Sequence, residues 1–400
     1  MSRPVLAILG VLALVVGVVI GIGAGALGSP SSQPAAVVET PSPISTAAPA
    51  PTADAPSPPA TPSAPPTPEP TPTPEPTPTP EPTPELVPAP LTGEPVTRAV
   101  ANRHVVAVMI DDLWAARPQM GLSEADVVWH APAEGGIPRY MALFQSRYPT
   151  RIGPVRSTRL YYVGWAADWN AVLVHAGGSP QAIGFLATSQ GRGKAVYNAD
   201  WSRHLYRVTF RAAPHNLYSD RKEFRKIPRS VGAKPVKDQA PVWSFAPDAP
   251  LEARPEGGTI VVPYLANRVT YKYNRATNTY RRSVSAEGKQ YDVGVKPKAR
   301  IAPRNVIVMK VTFVPIGDKK HRLDGHITGS GPAWISTNGI TVKGTWKKKD
   351  FTSPTRFYGP DGKAVTLTIG QTFIQVVTKS TRITIKDGVV PEPAPTADAG

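Results

Sequence analysis

Residues 135–181 read GGIPRYMALFQSRYPTRIGPVRSTRLYYVGWAADWNAVLVHAGGSPQ, and their alternation of apolar runs with polar corners decides the fold. Residues 139–146 read as a strand. Residues 158–169 place apolar or aromatic side chains at Leu160, Tyr161, Val163, Gly164 and Ala167, the spacing of a helix. Residues 171–174 form another apolar strand. Pro180 then opens a second helix, predicted over 180–187, with Ser179 placed to cap it. Upstream, 105–110 (VVAVMI) is a β-branched run that stops at Asp111-Asp112, Ser123-Glu124-Ala125 begins a short helical turn, and 127–130 is a further strand. Strands alternating with helices predict an α/β domain over 97–232, a mixed sheet with flanking helices.

After a proline-spotted connection at 233–256, the pattern over 257–385 turns to β. Branched and aromatic runs at 259–262, 269–273, 280–284 and 306–314 read as strands. Asn338-Gly339 between 333–336 and 341–346 predicts a hairpin. Pro360-Asp361-Gly362 makes another turn before 365–369. Strands at 373–377 and 381–385 complete a smaller, mostly antiparallel β domain. Trp346-Lys347-Lys348-Lys349 is expected at an exposed basic tip, a strand edge guarded by lysine. Residues 386–400 are expected to be a disordered tail.

Ahead of the body, residues 5–22 carry no charge and follow a single cation, Arg3. At about 1.5 Å per residue that run approaches a bilayer's hydrocarbon thickness, so residues 1–28 read as one transmembrane anchor. The rival reading is a cleavable signal ending at Ala24-Gly25-Ala26. With Arg3 inside, a single-pass topology leaves the N-terminus cytoplasmic and the folded domains outside. Residues 29–96 hold 24 of the 48 prolines, with Glu69, Glu75 and Glu81 marking a six-residue period. Such a stretch cannot bury apolar surface and predicts a disordered, extended stalk. The chain has no cysteine, which excludes disulfides, thiolate metal sites, a cysteine nucleophile and a lipidated cysteine anchor.

The net charge is +16 although the stalk is acidic, so the basic excess belongs to the folded part. Residues 139–229 hold 15 Arg and Lys against four Asp and Glu. Arg156 and Arg159 flank Ser157 and Thr158 at one corner, where guanidinium groups can grip an oxyanion bidentately. Gly177, Gly178 and Ser179 lie between a strand and a helix start, where backbone N–H groups and the helix dipole favour a phosphate. These residues and Arg139 are the candidate anion site. Asp111, Asp112 and Glu134 form its polar or metal-facing rim, and His175, His215 and Asn216 support it. Each corner also has a plain structural explanation as a tight turn or a solvated arginine.

No cofactor is expected. His130, His175, His204 and His215 lack ligand spacing, so no metal is expected either. A Ser-His-Asp grouping of Ser157 or Ser179 with His175 and Asp111 lacks a nucleophile elbow. Basic and aromatic residues over 201–210 could suggest nucleic acid, but an exported chain argues against that partner. The expected partners are the cytoplasmic membrane, through the N-terminal helix, and an anionic cell-wall polymer or lipid-linked phosphate. A scaffold without a small ligand is the alternative. No residue pattern specifies a reaction, and catalytic residues stay unassigned.

The ordered motifs VMIDD, ARPQMGLSEADVVWHAPAEGGIPRYMALFQS, IGPVRSTR, HAGGSPQA and Pro214-His215-Asn216-Leu217-Tyr218 resemble the YerB-like lipoprotein family, a bacterial family of unknown function. GSGPAWISTNGITVKGTWKK and TRFYGPDGK with GQTFIQVV resemble its C-terminal domain, so the likeness spans roughly 97–380. It implies an exported, membrane-attached bacterial protein with a two-domain body. The sequence departs from the pattern in lacking a lipidated cysteine, in Asp112 where Asn is expected, and in His130 where Glu is expected. IGPVRSTR followed by HAGGSPQA is also similar to the LytR-CpsA-Psr phosphotransferases. That likeness implies Arg139, Arg156 and Arg159 clamping a polyprenyl-linked pyrophosphate, with Asp111 or Asp112 near a metal.

Overall fold

A computed structural model describes residues 85–188, 190–191, 196–200, 203–285 and 287–392. The expected membrane segment, the stalk up to residue 84 and the tail from 393 lie outside the described residues. Among the described residues no helix is long and apolar enough to cross a membrane. The folded body begins before residue 97: Leu86–Pro88 pairs antiparallel with Pro95–Thr97, and Ala89, Leu91 and Thr92 are buried. It also runs past residue 386, because Val389 and Glu256 exchange backbone hydrogen bonds of 2.8 and 3.0 Å.

The frame is an eleven-stranded mixed sheet. Its order is Arg356–Tyr358, Ile340–Lys348, Gly329–Thr337, Asn305–Pro315, Thr372–Thr378, Val127–Glu134, Ile137–Phe144, Val106–Asp111, Val172–His175 and Tyr197–Asp200, with Leu323–His326 paired to Asn305–Pro315. Thr372–Thr378 runs parallel to both Asn305–Pro315 and Val127–Glu134. That pairing draws strands from both halves of the chain into one sheet. Val106–Asp111, Val172–His175 and Tyr197–Asp200 are mutually parallel. A separate antiparallel sheet is built from Gly288–Lys289, Thr279–Val284, Arg268–Asn274, Thr259–Pro263 and Thr384–Lys386. A mixed sheet with flanking helices, followed by a smaller antiparallel β region, is thus the observed architecture.

The period-two alternation of strand side chains sorts the core into two layers. Ala107, Met109, Trp129, Ala131, Met141 and Leu173 face the helices Leu160–Ala167 and Pro180–Ala187. Val106, Val108, Ile110, Val128, Ala142 and Val174 face the antiparallel sheet through Ile260, Val262, Tyr271 and Tyr280. The first helix buries Tyr161 through Ala167 on every side. A Cβ at Gly164 would sit 2.3 Å from Ile327 Cδ1 and 2.9 Å from Phe351 Cε2, so any larger residue there obliges both side chains to shift. The second helix begins at Pro180 with Ser179 Oγ accepting from Ala182 N at 3.3 Å. Asn338 and Gly339 adopt φ of +50° and +80° in the hairpin joining Gly329–Thr337 to Ile340–Lys348. Residues 123–125 form a turn and bend, not a helix.

The expected basic tip needs correction. Trp346 and Lys348 are 3% and 1% exposed, and only Lys347 and Lys349 reach solvent. Alternation turns Lys348 inward, where its ammonium contacts Asp168 and donates to Gly164 O at 3.1 Å and Ser353 O at 2.6 Å. One buried ion pair therefore ties the strand Ile340–Lys348 to the C-terminal end of the helix Leu160–Ala167.

Candidate functional site

In open α/β sheets ligands sit beyond the carboxyl ends of the parallel strands. Here Asp111, His175 and Asp200 end three parallel strands, and Glu134 ends a fourth. Arg139 stands at the same end, because its strand is antiparallel and it lies in register with Asp111 on one side and Ala131 on the other.

Gly135 and Gly136, at φ of +55° and +74°, turn the chain back so that Glu134 faces Arg139. One Glu134 oxygen contacts Arg139 Nη2 and the other contacts Arg159 Nη2. Arg139 Nη1 also donates to Ser157 O at 2.6 Å and Ser157 Oγ at 3.0 Å, and Arg159 Nη1 donates to Thr158 O at 2.6 Å. Both guanidinium groups are buried. Burial, followed by the neighbouring charge of Arg159, pushes the Arg139 guanidinium down to about 10. The carboxylate between them offsets like-charge repulsion that the low-dielectric site would otherwise magnify.

Asp111 organises the next group. Its Oδ1 accepts from Leu113 N at 3.1 Å, and its Oδ2 accepts from His215 Nδ1 at 2.8 Å. Arg156 Nε lies 3.0 Å from the same Oδ2, a charge contact without hydrogen-bond alignment, and its side chain is 28% exposed. The corner carrying Arg156 is joined by backbone bonds to the glycine corner. Ala176 N donates to Arg156 O, Thr158 N to Gly177 O and Ser179 N to Thr158 O, at 3.0, 2.9 and 3.2 Å. His175 is fully buried and its Nδ1–H donates to Gly177 O at 2.9 Å. Gly177 N donates to Asp200 Oδ1 at 3.3 Å. Gly177 holds φ +73° with no atom within 4 Å of the place a Cβ would take, so its backbone borders open space.

The two corners enclose a cleft of about 280 Å³ lined by Arg156, Gly177, Asp200, Arg207 and Pro214. Asn216 accepts from Arg207 Nη1 at 2.6 Å. The structure thus brings Arg156, Gly177, Gly178, Ser179, His175, Asp111, His215 and Asn216 to the cleft or its wall. Glu134, Arg139, Ser157 and Arg159 form the adjoining buried cluster. Sequence reasoning overlooked Arg207 and Asp200, which enter from elements far from either corner. Among the described residues, no group of three or more His, Asp or Glu is placed to hold a metal ion.

Asp112 points elsewhere, into the core between the sheets. Its carboxylate accepts from Gln119 Nε2 and His130 Nε2, each at 3.0 Å, and forms an ion pair with Arg117 Nη2 at 2.6 Å, which itself donates to Asp112 O at 3.2 Å. Burial raises its pKa, but the His130 hydrogen bond and the nearby charges of His130, Arg117 and Arg282 outweigh that and hold it below the usual carboxylate range. Burial lowers His130 despite the Asp112 hydrogen bond. Asp112 and His130, where the resemblance led to the expectation of Asn and Glu, are therefore direct partners. Arg282, fully buried, completes the network through Tyr140 Oη at 3.0 Å, Tyr271 Oη at 3.1 Å and Gln290 Oε1. Its inward position between Tyr280 and Val284 was readable from strand alternation.

Comparisons with known proteins agree with this architecture. Residues 91–234 match the N-terminal domain, and 260–374 the C-terminal domain, of the protein of unknown function family DUF3048. YerB of Bacillus subtilis strain 168, provisionally described as a lipoprotein, is 31% identical over 295 residues, covering 72% of this chain and 86% of YerB. A crystal structure of Bacillus subtilis YerB superposes with a TM-score of 0.64 at 28% identity, over 74% of this chain and 99% of that one. The chain belongs to the YerB-like DUF3048 family and carries both of its domains.

Proposed function

We propose that this chain is a bacterial envelope protein, anchored by its N-terminal apolar segment, whose body binds a phosphate-bearing ligand in the cleft between the Arg156 and Gly177 corners. The lipoprotein description of YerB supports the envelope address. This sequence has no cysteine to carry a lipid, so attachment falls to the charge-free run at 5–22. The observation that carries the ligand reading is the partly exposed Arg156 beside the open Gly177 backbone, at the carboxyl ends of parallel strands and with Arg207 opposite. A phosphotransferase mechanism asks Arg139, Arg156 and Arg159 to converge on one pyrophosphate. Two of those three share Glu134, which favours binding over transfer.

The test is thermal unfolding of the full-length chain with pyrophosphate and with a short-chain polyprenyl pyrophosphate. Ligand at one hundred times its Kd stabilises the folded state by about 2.7 kcal/mol. A concentration-dependent rise that disappears in Arg156→Ala and in Arg207→Ala supports the reading. No rise in the wild type with either probe refutes it. A larger rise with the lipid-linked probe assigns the ligand to a membrane carrier.

A further inference from the structure

The outer face of the five-stranded sheet carries an arrangement that packing does not require. Inward positions are taken by Val269, Tyr271, Tyr280, Arg282 and Val284. On the outer face Lys272 stands directly opposite Arg281, and Thr259 stands opposite both Lys272 and Lys386. One row of side chains crossing four strands therefore reads Lys386, Thr259, Lys272, Arg281. One step along, Lys289 lies opposite Ser283, and Arg300 lies opposite Tyr291 on a neighbouring ribbon. Together Lys272, Arg281, Lys289, Arg300 and Tyr291 line a groove of about 560 Å³ that no carboxylate enters.

Like charges directly opposite one another on a sheet are destabilising. Elsewhere the same chain pairs its arginines: Arg254 and Arg304 share Asp248, and Arg117 holds Asp112 and Glu287. In the groove, Lys272, Arg281 and Lys289 have no ion-pair partner among the described residues. The Tyr291 ring has Lys298 Nζ at 4.7 Å and Arg300 Cζ at 5.4 Å, which stiffens the cationic wall. Strands lie about 4.8 Å apart, so cations along the row recur every one or two strand spacings. A single phosphate would meet only part of that row. A membrane-binding face would combine cations with exposed apolar side chains, and none of the exposed large apolar residues lines the groove.

We propose that this groove binds a linear phosphodiester polymer laid across the strands, at a site separate from the Arg156 cleft. Backbone neutralisation supplies the affinity, so binding weakens steeply with salt.

The test titrates the full-length chain with poly(glycerol phosphate), orthophosphate and phosphatidylglycerol vesicles. The polymer is expected to bind, with affinity falling about tenfold and a shallower salt dependence in Lys272→Glu/Arg281→Glu. Arg156→Ala leaves polymer binding unchanged, which separates this site from the cleft. The control Lys222→Glu/Arg225→Glu makes the same charge change on an exposed helix and is expected to lose less than about twofold. Equal losses in the control and groove variants, binding to vesicles but not polymer, or full binding by the groove variant would each overturn the proposal. If the double reversal does not fold, Lys272→Gln/Lys289→Gln serves instead, with unaltered polymer affinity as the overturning result.

Discussion

Replacing Lys348 by Met isolates the energetics of the buried pair that joins the last long strands to the first helix. Both side chains are fully buried, and the ammonium makes three contacts, to Asp168, Gly164 O and Ser353 O. Met fills most of the aliphatic volume but leaves two carbonyls without this donor and a carboxylate without its cation. Removing one partner of a buried pair costs about 3–5 kcal/mol. Burial already pushes the Asp168 carboxyl above its usual range even beside Lys348. Without the ammonium that shift grows, and the variant's folded state takes up a proton on acidification before the wild type's does. A carboxylate with a raised folded pKa contributes stability that is present at low pH and lost as pH rises through that value. The deficit of the variant is therefore largest near pH 8 and shrinks by about 1.4 kcal/mol per pH unit over which only its Asp168 is protonated. Urea unfolding of the full-length chain at pH 8 and pH 5.5 measures both quantities. Asp168→Asn/Lys348→Met should recover most of the loss, because Asn can still accept from Thr355 N, 3.1 Å away. A loss below about 1 kcal/mol at pH 8, or the same loss at both pH values, would refute the reasoning.

Three further outcomes are expected. Glu134→Ala leaves two buried guanidinium groups facing one another and should cost about 3 kcal/mol or more; added phosphate should raise its unfolding midpoint more than the wild type's, and equal rises would show that the vacated position accepts no anion. His130 is held below its ordinary 6.5 by burial, so the unfolded chain takes up that proton first and stability drops as pH falls below about 6.5; His130→Gln should flatten the slope between pH 7 and pH 5, and an unchanged slope would assign it to other groups. Gly344→Ala would place a Cβ 1.9 Å from Tyr358 O, a backbone atom of the paired strand, and should cost more than about 3 kcal/mol; a urea midpoint close to the wild type's would mean the edge strand shifts freely.

What the sequence by itself determined are the features whose cause lies within a few residues. The helix Pro180–Ala187 was legible to the residue, because a capping serine and a proline at its first position act locally. The Asn338-Gly339 hairpin was legible because only a left-handed pair of residues makes that turn. The stops of Val106–Asp111 at a carboxylate and of Val172–His175 at an imidazole were also readable, since both strands are short apolar runs. Family motifs carried the identity of both halves for the same reason, as they are local strings.

Tertiary structure alone decided who partners whom. Thr372–Thr378 settles parallel to Val127–Glu134 across more than 200 positions, and no local signal chooses a parallel neighbour. That pairing seats the antiparallel sheet over Asp112 and His130 and buries Arg282 among their partners. Arg139 and Arg159 meet Glu134, while Arg156 meets Asp111 and stays partly open, a division that depends on side-chain direction at the strand ends. Lys348 turns inward because alternation gave it the buried side, and the charge survives there only because Asp168, 180 positions away, was already at the end of a packed helix. Ion pairs are fixed by distance in space, and a chain reports only distance along itself.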